Sequence, residues 1–570
     1  MRRSPWPKVC GIVAGAAVLG GLLAVPVRRP RIFGDELIYW ELSRAFAWTG
    51  HFTVRGGAAP RYGYVYPAVL TVAQRLGGDE RSAYAIAQGL NAIVFSLSAV
   101  PAYLIARRVV RRQSSALLVA LLAVVLPSFI LTSAIMTENA FYPLFLTSAL
   151  LMLRALERPT LARQLLVVVA AGVTFLARAQ GVVLLPAYLL AVVLLALPER
   201  RLRASLREHV PTLVVLACAG IGAALVPGKS TLGPYHVLVT SYQTRSVVHW
   251  ALANTADLEL YLGLVPLAAF GLLLGPALWS TSLSPALRRV VILTAALGAG
   301  VLATVAALSA SPYGLQRIHE RNLFYVAPLV LTVFFAWLDS GAPRPRLLSA
   351  VVSVLLVFLP LTIPSRAVAP SGVDGLAVML WWETGLRGWA ARLSMAAVAA
   401  IVVTIFLLRP RRAALIGICV AAFAVTLTVG ELHAANGVHD AGQWRDYSWI
   451  DNAVGPSARV VALWATTHSG PQFVRIGGLW SDEFFNRSVV DVASADGPLP
   501  DGLPVETLRI RSNGCLTASF RSRPQYVVVE TTRPLSASPV AVSPSRRASL
   551  YRLPAGFDPR CFARLRRSAG

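Results

Sequence analysis

The sequence predicts a polytopic α-helical membrane protein of about 13 spans with a small α/β domain at its carboxyl end. Three observations predict it. Of 570 residues, 56% are hydrophobic and only 14% charged, against about 25% charged in soluble chains. Apolar runs long enough to cross a bilayer recur between short arginine-rich loops. After about residue 440 the composition turns polar and Pro/Ser-rich, with short β-rich runs.

The runs lie near 9–27, 84–106, 115–134, 139–156, 164–178, 181–198, 210–227, 258–280, 290–310, 323–339, 347–364, 389–408 and 413–430. Arg2, Arg3 and Lys8 precede the first, but its length and the lack of a small-x-small site predict an uncleaved span rather than a signal peptide. Basic loops fall on one side of the count: Arg107-Arg108 with Arg111-Arg112, then 158–163, Arg200-Arg201 with Arg203, Arg288-Arg289, 344–346 and 409–412. The positive-inside rule assigns that side, and the amino terminus, to the cytoplasm of a multi-pass cell-membrane protein. An odd number of spans then puts the tail outside.

The longer loops are aromatic-rich. In 28–83, apolar residues at helical spacing predict interfacial helices over 36–46 and 62–76. In the tail, strands are expected at 458–464, 488–492, 525–530 and 549–553, and helices at 443–453 and 480–486. The expected division is a transmembrane module over 1–435 and an extracytoplasmic α/β domain over 436–570.

The formal charge of +26 is nearly all arginine, Lys8 and Lys229 being the only lysines. It is spread over short loops, not gathered in a solvated basic domain, which excludes nucleic acid as a partner. Cys10, Cys218 and Cys419 lie in apolar runs and are most simply small buried hydrophobes. Cys515 and Cys561 lie in the tail, where an oxidising compartment would allow a disulfide.

Carboxylates at membrane borders are costly to desolvate and mark a reaction site or a pathway. Asp35 and Glu36 follow the first span in Gly34-Asp35-Glu36, and Glu138 opens the fourth in Met136-Thr137-Glu138-Asn139. The cations on the same predicted face are Arg61, Arg178 in Ala177-Arg178-Ala179-Gln180-Gly181, Arg317 and Arg321 around His319, and Lys229 and Arg245. A phosphate leaving group needs such arginine forks, and a nucleophile needs a carboxylate base or positioning group. Plainer readings stand beside these. Asp35-Glu36 and Glu138 could begin helices, Arg317 and Arg321 could anchor at the interface, and His319 could be structural. Arg178, between two apolar stretches, is the hardest to explain that way. Trp381-Trp382-Glu383 reads as aromatic belt. No zinc spacing, Walker loop, GxGxxG or internal repeat is present. The carboxylates are able to hold a divalent cation, but no spacing demands one.

Gly34-Asp35-Glu36 after the first span, the paired interfacial helices, Glu138 at the fourth span and the late stretch Arg321-Asn322-Leu323-Phe324-Tyr325-Val326-Ala327-Pro328 together resemble the GT-C glycosyltransferases. The closest branch is that of the protein O-mannosyltransferases and lipid A aminoarabinose transferases. The resemblance covers residues 1 to about 340 in layout. It implies an enzyme that moves a sugar from a polyprenyl-phosphate donor, held among membrane lipids, to a glycan, lipid or protein acceptor outside the cytoplasm. It implies Asp35 and Glu138 as catalytic carboxylates, Glu36 as an acceptor-positioning group, and Arg61, Arg178, Arg317 and Arg321 as donor-phosphate ligands. Many aminoarabinose-type members carry a Lys-Pro-Pro-like segment where this chain reads Tyr64-Val65-Tyr66-Pro67, so the sugar stays open. The tail lacks a repeated β-trefoil pattern, so a protein acceptor is not implied. Two other classes compete: a transporter or flippase of lipid-linked glycan, and a non-catalytic envelope-assembly protein.

Overall fold

The computed structural model describes the chain except residues 1–3, 28, 29, 31, 32, 59–62, 226–242, 312, 313, 315, 365–376, 379–384, 410–446, 465–471, 496, 498, 500–502, 531–533, 545, 546 and 566–570. The thirteenth predicted run, Arg61, Lys229, Cys419 and Trp381-Trp382-Glu383 lie outside the described residues.

The helices begin with α1 (Trp6–Ala24), α2 (Phe33–Thr49), α3 (Val65–Leu76), α4 (Glu80–Ser96), α5 (Ala99–Ala106) and α6 (Gln113–Val125). They continue with α7 (Glu138–Glu157), α8 (Leu161–Ala177), α9 (Leu184–Ala196), α10 (Leu202–Glu208), α11 (Val210–Leu225) and α12 (Thr244–Tyr261). Next come α13 (Val265–Trp279), α14 (Pro285–Ala310), α15 (Ala327–Asp339), α16 (Arg346–Phe358), α17 (Gly388–Leu408), α18 (Trp449–Val454) and α19 (Gln472–Phe485). Among the described residues six helices are long and apolar enough to cross a membrane, or up to nine if each bent pair is one span. The chain forms a multi-pass helical membrane protein.

Two predicted spans are broken, and local chemistry explains both. The run 115–134 ends as α6 at Val125 and turns by 50° into a 3₁₀ segment, Pro127–Ser133. Proline disfavours helix at the residue before it, and Leu126 is extended at φ −64°, ψ 162°. The run 258–280 is instead the end of α12 and all of α13, bent by 118°. Gly263 takes φ +72° and stops α12; Leu264 follows at φ +67°, ψ −54°, in a γ-turn closed by Val265 N–H to Gly263 O at 2.8 Å. A leucine there is strained by about 1–3 kcal/mol. Pro266, in the first turn of α13, suits a new helix start and not a continuation.

The chain divides into two compact units. The first comprises Met1–Leu23, Asn91–Ser133 and Thr137–His433. Within it α7 packs on α8, α14 on α9 and α12, and α13 on α15. Phe95, Phe129, Tyr142 and Phe324 pack ring against ring in its interior.

The second comprises Ala24–Leu90, Ala134–Met136 and Ala434–Gly570, joining the predicted first loop to the tail. Helices α2 and α3 match the predicted pair, and α2 lies along α19. Trp40 stacks on Phe484 at 5.4 Å, while Arg44 Nη2 donates to the Phe484 carbonyl at 2.9 Å. Glu80 accepts from Trp40 Nε1 at 2.8 Å and pairs with Arg44 at 3.2 Å and Arg487 at 2.5 Å. Arg55 forks both oxygens of Glu483 at 2.7 Å, both side chains almost fully buried. Planar two-point pairing is what makes such a buried charge tolerable.

The tail strands are β3 (Val460–Trp464), β4 (Val489–Ser494), β5 (Glu506–Thr507), β6 (Arg509–Ile510), β7 (Cys515–Thr517), β8 (Tyr526–Glu530), β9 (Ala541–Val542), β10 (Ala548–Arg552) and β11 (Ala563–Arg564); β1 (Thr53–Val54) and β2 (Gly57–Ala58) form a separate hairpin in the first loop. The six-stranded sheet runs β5-β4-β3-β8-β10-β9, parallel around β3 and antiparallel from β8 to β9. Central β3 is buried at all five positions, and its sequence Val-Val-Ala-Leu-Trp is the continuous apolar run that a parallel central strand requires. A three-stranded sheet, β11-β7-β6, is pinned by a Cys515–Cys561 disulfide with Cα atoms 5.3 Å apart.

Asp482, partly buried on α19, accepts from Trp449 Nε1 at 3.0 Å, yet burial pushes its carboxyl up to about 7. The folded state therefore keeps a proton that the unfolded chain loses near pH 4, so stability is full below that and declines as pH rises through about 7. Asp482→Asn keeps an acceptor for Trp449. Thermal unfolding is expected to show wild type losing more stability than this variant between pH 5 and pH 8; equal losses would contradict it.

Candidate functional site

Glu138 is the first residue of α7, preceded by Thr137, whose hydroxyl does not cap the helix. It donates instead to Glu138 Oε2 at 3.2 Å and accepts from Arg178 Nη1 at 2.7 Å. Arg178 Nη1 also reaches Glu138 Oε2 at 2.9 Å. From the far side Arg321 Nε lies 3.9 Å from Glu138 Oε1. The carboxylate is wholly buried, while the two arginine side chains keep 16% and 10% exposure. Two guanidiniums thus converge on one carboxylate, and the trio carries a formal charge of +1.

Local sequence sets each of these side chains. Arg178 ends α8 in extended geometry, φ −159°, before the 3₁₀ turn Ala179–Val183. Gly181 makes that turn possible, because a Cβ there would sit 2.6 Å from the Phe175 nitrogen. Arg321 rides a loop that doubles back from the end of α14, where a Cβ on Gly314 would meet the Leu308 carbonyl at 1.9 Å. Asn322 ties the two segments. Its Oδ1 accepts from Arg178 Nη2 at 2.6 Å and its carbonyl from Gln180 Nε2 at 2.9 Å. Tyr325 is fully buried with its hydroxyl in the electrostatic field of Arg178, Glu138 and Arg321.

Arg317 is half-buried on the same loop. His319 is buried, its Nε2 bonded to the Gly314 carbonyl at 3.0 Å.

In the second unit Asp35 and Glu36 occupy the first turn of α2, where the helix dipole favours negative charge. Their environments differ. Asp35 is half-buried. Glu36 is fully buried and accepts from the Ile135 N–H at 2.8 Å, with Tyr84 OH at 3.5 Å. Glu36 therefore fixes backbone, whereas Asp35 keeps part of its surface accessible.

Asp257, Asn254, Gln180 and Asn322 were not singled out by sequence. Asp257 lies just outside the run predicted at 258–280; it is helical in α12 and wholly buried. Among the described residues no three His, Cys, Asp or Glu side chains gather in a way that could hold a metal ion.

The chain thus carries an acidic first loop and, in its helical unit, an arginine-clasped carboxylate. The sequence model for the dolichyl-phosphate-mannose-protein mannosyltransferase family matches residues 62–224. Across 95% of this chain and 97% of the other, the structure is similar to ArnT from Cupriavidus metallidurans bound to undecaprenyl phosphate, with TM-score 0.52 at 15% identity. Arabinosyltransferase EmbB from Mycobacterium smegmatis aligns over 77% of this chain and 42% of its own, at TM-score 0.43 and 15% identity. The Archaeoglobus fulgidus oligosaccharyltransferase aligns over 93% and 69%, at TM-score 0.43 and 13% identity. No curated protein matches the chain in sequence.

Proposed function

We propose that the protein is a membrane glycosyltransferase that takes a sugar from a polyprenyl-phosphate donor and passes it to an acceptor outside the cytoplasm. The observation that carries this reading is the convergence of Arg178 and Arg321 on buried Glu138, at 2.9 and 3.9 Å. As the sugar leaves, charge develops on the lipid phosphate. Fixed guanidiniums in a water-poor setting stabilise that charge far better than solvent does. Glu138 holds the forks in place before the donor arrives. Asp35 is the acceptor's base or orienting carboxylate. Glu36 holds the backbone at Ile135, and Arg317 and Arg61 are read as further ligands of the donor phosphate.

In this reading the chain makes about 13 crossings, with its amino terminus cytoplasmic and the 436–570 domain outside the cytoplasm. The matched family and the ArnT likeness support a lipid-phosphate donor; the acceptor is a cell-wall glycan, a glycolipid or an exported protein.

The test is sugar release or transfer from a panel of radiolabelled polyprenyl-phosphate sugars by purified protein in lipid, with membrane extract as acceptor source. Turnover of one donor is expected, and it names the sugar. Inertness toward all donors by a folded protein, together with movement of the lipid-linked sugar across vesicles, would favour a flippase instead.

A further inference from the structure

We propose that helix α19 of the carboxyl-terminal tail is the scaffold for the acceptor's carboxylate, with Trp480 a positioning residue that fixes Asp35 by packing on the glycine before it. The catalytic part of this proposal rests on the glycosyltransferase reading; the structural part does not. Asp35 stands in the first turn of α2. A first turn is the loosest part of a helix, because its N–H groups have no partner within the helix. Gly34, beside Asp35, is a weak helix former and has no side chain of its own to pack. The position of Asp35 therefore depends on what is laid against that turn from outside. Trp480 is laid there. A Cβ on Gly34 would lie 3.5 Å from Trp480 Cη2 and 3.9 Å from its Cζ2 and Cζ3, so the benzo edge of the indole rests over the glycine backbone. The indole is itself buried.

The same face of α19 continues the grip. Phe484, one turn on, stacks on Trp40 at 5.4 Å and meets Tyr84 edge-on at 5.9 Å. Its carbonyl accepts from Arg44 Nη2 at 2.9 Å. Two aromatic rings four residues apart on α19 thus meet α2 at its first turn and again at Trp40. The tail holds the far end of α19, which makes it a fixed support. The Asn486 side chain donates to the Tyr447 carbonyl at 2.7 Å and accepts the Asp451 N–H at 2.9 Å. The Asp451 carboxylate in turn accepts the Arg487 N–H at 2.8 Å. Trp480 touches no reacting atom in this scheme.

Hydrogen–deuterium exchange by mass spectrometry on the intact protein in lipid reads the amides of residues 37–40, whose bonds to the carbonyls of 33–36 close the first turn of α2. Two variants withdraw the indole: Trp480→Ala, and Trp480→Leu, which keeps an apolar side chain for the tail but falls short of Gly34. Each is expected to speed exchange at 37–40 about tenfold while the β3 amides stay within about twofold of wild type. Gly34→Leu should have the same effect by driving side-chain atoms into the indole. Leucine is a better helix former than glycine, so faster exchange in that variant comes from the collision and not from propensity. In Gly34→Leu/Trp480→Ala the leucine fills the space that the indole leaves, and exchange should return to within about threefold of wild type. Unchanged exchange at 37–40 in a Trp480 variant with protected β3 overturns the scaffold, as do strictly additive increases in the double variant. If both Trp480 variants also expose β3, Gly34→Leu decides, and unchanged exchange in it overturns the scaffold.

With a donor in hand, Trp480→Leu should lower saturated turnover about tenfold and leave the KM for the lipid donor within about twofold, because Asp35 works on the acceptor. Parallel loss of turnover and donor affinity would mark a general lesion, and unchanged turnover an idle contact; either overturns the positioning role. A folded wild-type protein inert to every donor would overturn the glycosyltransferase reading alone, since the exchange experiment decides the scaffold by itself.

Discussion

Asp35→Asn is expected to abolish sugar transfer, by about 10²–10⁴-fold, while leaving the fold intact. The substitution keeps the size and most of the hydrogen-bonding capacity of the side chain and removes its charge and its ability to take a proton. Asp35 is half-buried in the first turn of α2, and asparagine there keeps the shape of the side chain. Glu36 provides the control. Its carboxylate accepts the Ile135 N–H at 2.8 Å, so Glu36→Gln retains an acceptor and should fall far less in activity. Glu36→Ala would leave that N–H without it and should lower the melting temperature. Circular dichroism and thermal unfolding in detergent, beside donor turnover, separate the cases. More than half of wild-type turnover in a folded Asp35→Asn protein would remove Asp35 from the chemistry.

Glu138→Gln should have the largest combined effect on stability and activity. It strips the carboxylate from between Arg178 and Arg321 at 2.9 and 3.9 Å. Removing one partner of a buried ion pair costs about 3–5 kcal/mol, because the other charge stays buried and uncompensated. Thermal unfolding should show a drop of that order, and turnover should fall at least about 100-fold as the forks lose their register. The Glu138→Gln/Arg178→Gln double variant relieves the uncompensated charge. It should recover part of the stability, a non-additivity expected of groups in direct contact, and none of the turnover. Strictly additive losses would mean that the pair is not the unit described, and recovered turnover would take the donor phosphate away from Arg178.

Much of the fold was legible in local pattern. The first-loop helices α2 and α3, the tail strands β3, β4, β8 and β10, and most long apolar helices lie within a few residues of where periodicity places them. These elements depend on neighbours three or four residues away, or on alternation by two, and sequence displays both directly. The two broken spans were readable in principle from Pro127, Gly263 and Pro266, but hydropathy averages over a window and conceals a single turn. α12 escaped for the opposite reason. Its Asn254, Asp257 and Glu259 lower the mean, although all three are buried.

The sequence by itself determined the membrane class, the helical plan and the chemical types available, namely carboxylates after the first span and arginines in the loops between others. It also supplied the two cysteines that the fold pairs across 46 residues. Tertiary structure alone decided which of these groups meet. Thr137, Glu138, Arg178, Asn322 and Arg321 come from three segments more than 35 residues apart, and no local rule relates them. Only packing in the interior brings the charges close enough, and dry enough, for a 2.9 Å ion pair to govern what binds there. The same holds for Glu36, which reads as a partner of Asp35 in sequence. In the fold its carboxylate is committed to a backbone amide 99 residues away.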